Sequence, residues 1–328
     1  MIHFRSDRLD LLQPEGPWWH WQTLGGSMIA QNDRDTWTLH APIPPGADES
    51  RLNPAVVLRE WAGRDFQFEI LVSNPWSPHM VIATRYGNGR VYLAGDSAHQ
   101  VIPTGGYGMN TGVCDAVDLG WKLAATLQGW AGPRLLESYD IERRPIAIQN
   151  RAASRRHTDI RIQIAQALTS GLGCDEPNYD AVGARIAQLG NAENEYWGIE
   201  HGYRYHQSPV IAHEAEEPPF DPMKYLPTTW PGARLPHVFL KDGGALYDRL
   251  GLEFTLLAFG SAETDPLKEA NEKCGLPLRI VRVAEPNLDH IFERQLLLVR
   301  SDQHIAWRGN QLPANCVALL RRVSGWAS

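Results

Sequence analysis

The hydrophobic and polar positions of this chain change period twice. Over roughly the first ninety residues they alternate in short runs, at Ile2 to Phe4, Trp18 to Thr23, Ser27 to Gln31, Thr36 to His40, Phe66 to Val72 and Val81 to Tyr86. Turn residues such as Gly25-Gly26, Asn32-Asp33 and Gly87-Asn88-Gly89 separate them, so each run is expected to be a strand. One helix interrupts the series, with Asn53 as cap, Pro54 in its first turn and Gly63 as its stop. From 109 to 128 the period becomes helical. Val113, Ala116, Val117, Gly120, Leu123, Ala124 and Leu127 then share one face, opposite Asp115, Asp118 and Lys122. The ordinary amphipathic arrangement turns the apolar face inward and leaves Asp118 and Lys122 as an i,i+4 pair. A second helix is expected from Pro133 through Tyr139 to Glu142-Arg143-Arg144-Pro145, where the proline should bend or interrupt it.

Between Pro218 and Pro236 six prolines fall within nineteen residues, which suits neither a helix nor a central strand. Beyond them the pattern alternates: strands at 235–240 and 254–259, a helix near 262–273, strands at 278–283, 295–299 and 304–308, and a helix at 314–323. That is an α/β unit of about a hundred residues, of a size that folds on its own, so proteolysis near 214–231 is expected to release it.

Composition narrows the chemistry. The 328 residues are 43% hydrophobic and carry a formal charge of −7, from 31 Lys+Arg against 38 Asp+Glu, with no basic run. A nucleic-acid groove and an anionic membrane surface are therefore not expected partners. Cys114, Cys174, Cys274 and Cys316 lie far apart without CxxC or metal spacing, which points to free thiols, a cytoplasmic setting and no metal. No apolar run approaches the roughly 18 residues that cross a bilayer.

One stretch concentrates candidate chemistry. Val91 to Ala94 read as a buried strand that ends at Gly95-Asp96, where open α/β sheets bind ligands. Gly95 permits close backbone approach, and Asp96 offers two acceptor oxygens to a polyol. Gly105, Gly106 and Gly108 then form a loop free of side chains, and Asn110 or Thr111 can cap the following helix, so free N–H groups and a positive helix end converge on one spot.

The run GDSAHQVIPTGGYGMNTG, with DAVDLGWKLAATL and YDIERRP after it, resembles the second flavin motif of the para-hydroxybenzoate hydroxylase family, the FAD-dependent aromatic monooxygenases. The resemblance implies that Asp96 binds ribityl hydroxyls of FAD, that Pro103 lies beside the isoalloxazine on the substrate side, and that the backbone of Gly108, Met109 and Asn110 meets the flavin N1–C2=O edge. HGYRYHQSPVI and WPGARLPHVFL extend the likeness to the phenol-hydroxylase-like branch, whose members append a thioredoxin-like domain. The fold class implied is α/β with α+β elements: a partial FAD/substrate domain of the para-hydroxybenzoate hydroxylase type, then a thioredoxin-like domain. The expected divisions are a substrate-side sheet at 1–88, the C-terminal part of the FAD-binding domain at 89–217, a proline-rich linker at 218–234 and the thioredoxin-like domain at 235–328.

The chain departs from the family in one respect: no GxGxxG for the FAD pyrophosphate occurs in it. The expectation is a truncated or split form whose partner is an upstream FAD-binding fragment of about 150–200 residues. The implied activity is hydroxylation of a phenolic or aromatic substrate with NAD(P)H and O2 through a C4a-hydroperoxyflavin. The alternative is an inactive flavin-fold remnant that serves as a binding or assembly module. A homo-oligomer is compatible with either.

The remaining residues have plainer readings beside functional ones. Trp19 and Trp21, with His20 between them, suggest an aromatic substrate pocket, while a packed sheet face explains the same run more simply. His99 could relay protons, but a hydrogen bond to loop backbone is the commoner role. Arg143 and Arg144 read as ion-paired helix residues.

Overall fold

The computed structural model describes residues 1–23, 25–44, 46–48, 51–171, 179–189, 195–285 and 288–326, so Cys174 lies outside the described residues. The chain divides into two compact units, Met1–Pro78 and His79–Ser328. The division falls ten residues before the expected one at 88.

The first unit is an antiparallel sheet. Its strands are β1 (Ile2–Arg5), β2 (His20–Thr23), β3 (Gly26–Ala30), β4 (Thr36–His40) and β5 (Glu69–Ser73), in the order β2-β3-β4-β1-β5. Alternation puts Ile2, Phe4, Met28, Ala30, Trp37 and Leu39 on one face. That face is closed by Leu12 of α1 (Leu9–Leu12) and Leu58 of α2 (Pro54–Ala62). The start and stop of α2 are those expected: Asn53 Oδ1 accepts the Ala55 amide at 3.0 Å, and Gly63 ends the helix with φ +67°.

The second unit opens with two small pairings, β6 (Val81–Ile82) with β9 (His99–Gln100), and β7 (Gly87–Asn88) with β8 (Val91–Tyr92). Here an expectation fails. The run Val91 to Ala94 is not a buried strand, because only Val91–Tyr92 pair, in a hairpin, and Val91 is 67% exposed. Tyr92 and Leu93 turn partly inward, against the cluster of Tyr86, Ala98, Tyr139 and Ala147.

Two long helices follow, α3 (Tyr107–Leu127) and α4 (Pro133–Gly171). Pro145 does not break α4, which runs for 39 residues with the proline inside it. Glu142, Arg143, Ile146 and Ala147 are all buried around it, and that packing outweighs the missing N–H. Two shorter helices, α5 (Tyr179–Leu189) and α6 (Trp197–His201), complete this part.

The expected proline-rich linker is packed in place. Thr229, Trp230 and Ala233 are buried, and backbone bridges tie Ala233 to Arg204 and Arg234 to His304. Segment 235–240 forms only an isolated bridge, Phe239 to Ala245. The last sheet comprises β10 (Phe254–Phe259), β11 (Leu278–Val283), β12 (Leu296–Val299) and β13 (Ile305–Gly309) in the order β11-β10-β12-β13. The pair β10–β11 is parallel and bridged by α7 (Asp265–Cys274); β12 is antiparallel to its neighbours. Helix α8 (Asp289–Phe292) precedes β12 and α9 (Cys316–Val323) closes the chain. Both faces of this sheet are buried, one around Leu256 and Leu298, the other around Leu257 and Leu297.

This terminal sheet does not stand apart. Trp121 of α3 and Trp130 lie edge-on to Phe254, at 5.9 and 6.2 Å between ring centroids. A tail released intact by proteolysis would expose that contact, so the expected separable unit is replaced by one body.

Candidate flavin site

The flavin-motif residues are brought together at the start of α3. Gly95, with φ +59°, opens a short 3-10 turn over Gly95–Ser97, and the turn lies against α3 at Gly112. A Cβ on Gly112 would meet the Gly95 Cα at 3.1 Å, so glycine at both positions sets the distance. Asp96 is exposed and makes no side-chain hydrogen bond among the described residues. Its carboxylate is available to a ligand.

The loop then turns at Pro103, whose carbonyl accepts the Gly106 amide at 3.0 Å. Gly105 and Gly106 have φ of +82° and +71°, a region that side chains rarely adopt. Gly105 also has no room, since a Cβ there would lie 2.5 Å from the Tyr107 ring and 2.9 Å from His157. Gly106 is the residue before the helix, so Asn110 and Thr111 are not its caps as expected; both sit in its first turns and bond backward, Asn110 Nδ2 to Gly106 O at 2.9 Å and Thr111 Oγ1 to Tyr107 O at 2.7 Å. The first amides of a helix have no intrahelical partner and carry its positive end. Gly108 and Met109 therefore present free backbone donors, with Met109 exposed, while the Asn110 amide, the fourth of the helix, is used within it.

Beneath this surface lies what sequence reasoning missed. Asp115 is fully buried and its Oδ2 accepts from the Gly95 amide at 3.3 Å and pairs with His99 Nε2 at 2.8 Å, while Oδ1 accepts from Arg143 Nε at 2.8 Å. The partner of His99 is thus a carboxylate, not loop backbone. Arg143 is ion-paired as expected, but in the interior, and Arg144 donates to the Ala83 carbonyl at 3.0 Å. One turn along α3, Asp118 accepts from Lys122 at 2.8 Å and from Arg300 at 3.0 Å. Glu142 accepts from Lys122 and from Arg300, each at 2.6 Å, and Asp302 also pairs with Arg300.

The inward face of α3 is therefore the charged one. Val113 and Val117, expected inside, are 56% and 51% exposed. The polar face is inside because α4 and the β12–β13 turn supply its counterions. Asp118, Glu142 and Asp302 bring carboxylate oxygens within 4.8 Å of one another, with Lys122 and Arg300 bound among them. Three carboxylates then face two cations. Burial, opposed by Lys122, raises the Asp118 pKa to about 7; burial opposes ionisation of Glu142 too, but Arg300 and Lys122 outweigh it and hold that pKa at about 2.

The other candidate residues, Trp19, His20 and Trp21, lie in the first unit. Trp19 and His20 are exposed, while Trp21 packs edge-on to Trp37 at 6.1 Å between centroids. A cavity of about 700 Å3 in that unit is lined instead by Ile2, Ile43, Leu52, Val57, Glu60 and Trp61.

Residues 48–154 match the FAD binding domain model, and residues 228–327 match the C-terminal domain model of aromatic-ring hydroxylases. The chain belongs to the FAD-dependent aromatic monooxygenase family. Among curated relatives, the FAD-dependent monooxygenase opdD of Penicillium oxalicum is 36% identical, over 95% of this chain and 66% of the relative. Phenol 2-monooxygenase of a Pseudomonas species is 32% identical, over 91% of this chain and 53% of the relative. Among solved structures, the rebeccamycin biosynthetic enzyme RebC with reduced flavin superposes with TM-score 0.85 at 33% identity, over 99% of this chain and 62% of that one. The flavin-dependent monooxygenase PieE in complex with FAD and substrate gives 0.84 at 27%, over 98% and 64%. This aromatic monooxygenase family member thus spans less than two thirds of those relatives. No described helix is long and apolar enough to cross a membrane.

Proposed function

We propose that this chain forms the isoalloxazine and ribityl side of the FAD site of an aromatic hydroxylase that uses NAD(P)H and O2. The observation that carries the reading is the convergence of an unpartnered Asp96 carboxylate, a Gly105-Gly106 loop whose positive φ favours glycine at both positions, and the N-terminus of the 21-residue α3. FAD supplies the electron transfer and oxygen chemistry when bound. Asp96 accepts hydrogen bonds from ribityl hydroxyls, and the first amides of α3 stabilise negative charge on the ring edge by roughly 0.3–1 kcal/mol, with about as much from each backbone hydrogen bond. Pro103 borders the substrate side. The aromatic substrate is taken by the first unit, whose 700 Å3 cavity is of ordinary ligand size and mostly apolar.

The pyrophosphate side, for which these residues hold no GxGxxG, is contributed by a further FAD-binding segment. The exposed apolar stripe of Met109, Val113, Val117 and Leu127 gives that segment a surface to cover. The terminal sheet, a parallel β-α-β unit followed by two antiparallel strands and a helix, supports the thioredoxin-like assignment, without dithiol chemistry because the sequence holds no CxxC. We place the protein in the cytoplasm on its cysteine usage.

The test is reconstitution. With the FAD-binding segment, the chain should retain flavin through gel filtration and form a hydroxylated phenol only with O2 and NAD(P)H. Asp96→Ala should weaken FAD binding at least tenfold, as expected for one charge-assisted hydrogen bond of about 1.5–3 kcal/mol. Flavin bound without turnover of any phenol would favour the binding-module alternative, and unaltered retention in the variant would remove Asp96 from the site.

A further inference from the structure

The terminal sheet and the flavin-loop helix are joined by a closed set of buried charges. Arg300 sits in the turn between β12 and β13, with its amide bonded to the His304 carbonyl at 2.9 Å, so its backbone is fixed by the hairpin. Its side chain is buried and reaches back to the two long helices: Nη2 donates to Asp118 Oδ1 at 3.0 Å and to Glu142 Oε2 at 2.8 Å, while Nη1 donates to Glu142 Oε1 at 2.6 Å. Asp302 accepts from Nε at 3.1 Å. The guanidinium also lies 5.1 Å from the Trp121 ring and 5.3 Å from the Tyr205 ring, and the Tyr205 hydroxyl accepts from Arg143, the partner of Asp115.

Apolar contacts between a sheet and a helix tolerate small slides. A planar fork bound to three carboxylates does not, because each displaced N–H and oxygen would be left without water. The two acids of α3 are one turn apart: Asp118 is held by Arg300, and Asp115 holds the Gly95 amide. A rotation or shift of α3 that loosened the first would misplace the second.

We propose that the terminal sheet acts on the flavin site through Arg300, as a positioning residue that fixes the axial and rotational setting of α3 and thereby the Gly95–Asp96 turn and the first amides of the helix. The functional consequence rests on the flavin reading above; the mechanical coupling does not. The competing explanation is that the sheet merely covers apolar surface, in which case any comparable loss of its packing has the same effect.

Hydrogen exchange on the full chain, read at peptide level by mass spectrometry, separates these. Arg300→Lys keeps the charge but cannot engage Asp118 and Glu142 as a fork, and Arg300→Met removes both. Leu297→Ala weakens the same sheet on its other face, in the cluster of Leu257, Val299 and Ile305. The amides of Gly95 and of residues 110–118 should exchange at least tenfold faster in Arg300→Lys, and faster still in Arg300→Met, under conditions where β10 stays protected. Leu297→Ala should accelerate exchange in the sheet and leave 110–118 at the wild-type rate. Equal acceleration of 110–118 by the Lys and Ala variants, or none by Lys, would overturn the proposal; if Arg300→Met fails to fold, the Lys and Ala comparison decides alone. FAD titration of the wild-type chain with the FAD-binding segment is run beside it. Absent flavin binding with the exchange pattern intact removes the flavin reading only, and normal binding with no difference in exchange removes the positioning role only.

Discussion

On α3 the side chains turned inward are Thr111, Asp115, Asp118 and Lys122, whereas Met109, Val113, Val117 and Leu127 face outward. The inner face is satisfied ion by ion, from His99, Arg143, Glu142 and Arg300. The outer face makes no comparable demand within the chain. The contrast teaches that periodicity identifies which residues share a face of a helix, while the direction of that face depends on what neighbouring elements offer. A buried ionic face costs a great deal when one member is lost, and an exposed apolar face costs little by itself.

The largest effect expected from that contrast is on the inner face. Glu142→Ala takes away the carboxylate that both Lys122 and Arg300 bind, leaves buried N–H donors unpaired and should destabilise the chain by about 3–5 kcal/mol in urea melts. A loss within 1 kcal/mol would mean the cluster is hydrated and the faces are less different than they look. Next comes the loop that begins the helix: Gly105→Ala meets both a positive φ and the rings of Tyr107 and His157, and should cost about 1–3 kcal/mol.

The pH response sharpens the comparison further. Glu142 has its pKa lowered from 4.5 to about 2, so its contribution is present above 4.5 and is lost as pH falls toward 2. Asp118 has its pKa raised from 3.8 to about 7, so the folded chain binds the extra proton; that contribution is complete below 3.8 and is lost as pH rises through about 7. Stability should therefore peak between these limits and decline above neutrality, and the decline should vanish in Asp118→Asn. The smallest effect belongs to the outer face. Val113→Ser with Val117→Ser should change chain stability by no more than about 0.5 kcal/mol each, yet abolish association with the FAD-binding segment in a pull-down. Retained association would place that segment elsewhere.

Much of the fold was legible in the sequence for local reasons. Asn53, Pro54 and Gly63 act within one helix, and alternation along Ile2 to Phe4 needs only one covered face. The backbone of the candidate loop was legible because Gly95, Gly105 and Gly106 have positive φ, a requirement that shows in the residue type itself. The rest depended on partners distant in sequence. Val91 to Ala94 read as a buried strand because an apolar run carries no mark of whether a neighbour pairs with it. Pro145 read as an interruption because the packing that sustains α4 is tertiary. Asp115 was the recoverable miss: two acids and a lysine repeat at helical spacing on α3, while Glu142-Arg143 occupy adjacent positions on α4, a pattern that suits facing helices. Arg300 carried no such signal.

The sequence distance of Arg300 has a consequence for synthesis. Its bonds to Asp118 and Glu142 close over 182 and 158 residues. At a ribosomal rate of about 5–20 residues per second, roughly 10–40 s pass between the emergence of Asp118 and that of Arg300. Throughout that interval α3 and α4 lack one of their two shared cations, and Asp118 and Glu142 have Lys122 alone between them, so a tight pairing of the helices is unfavourable until the β12–β13 hairpin arrives. Strands β12 and β13 therefore permit α3 to settle, and a nascent chain halted before them would hold that helix solvated and available to chaperones.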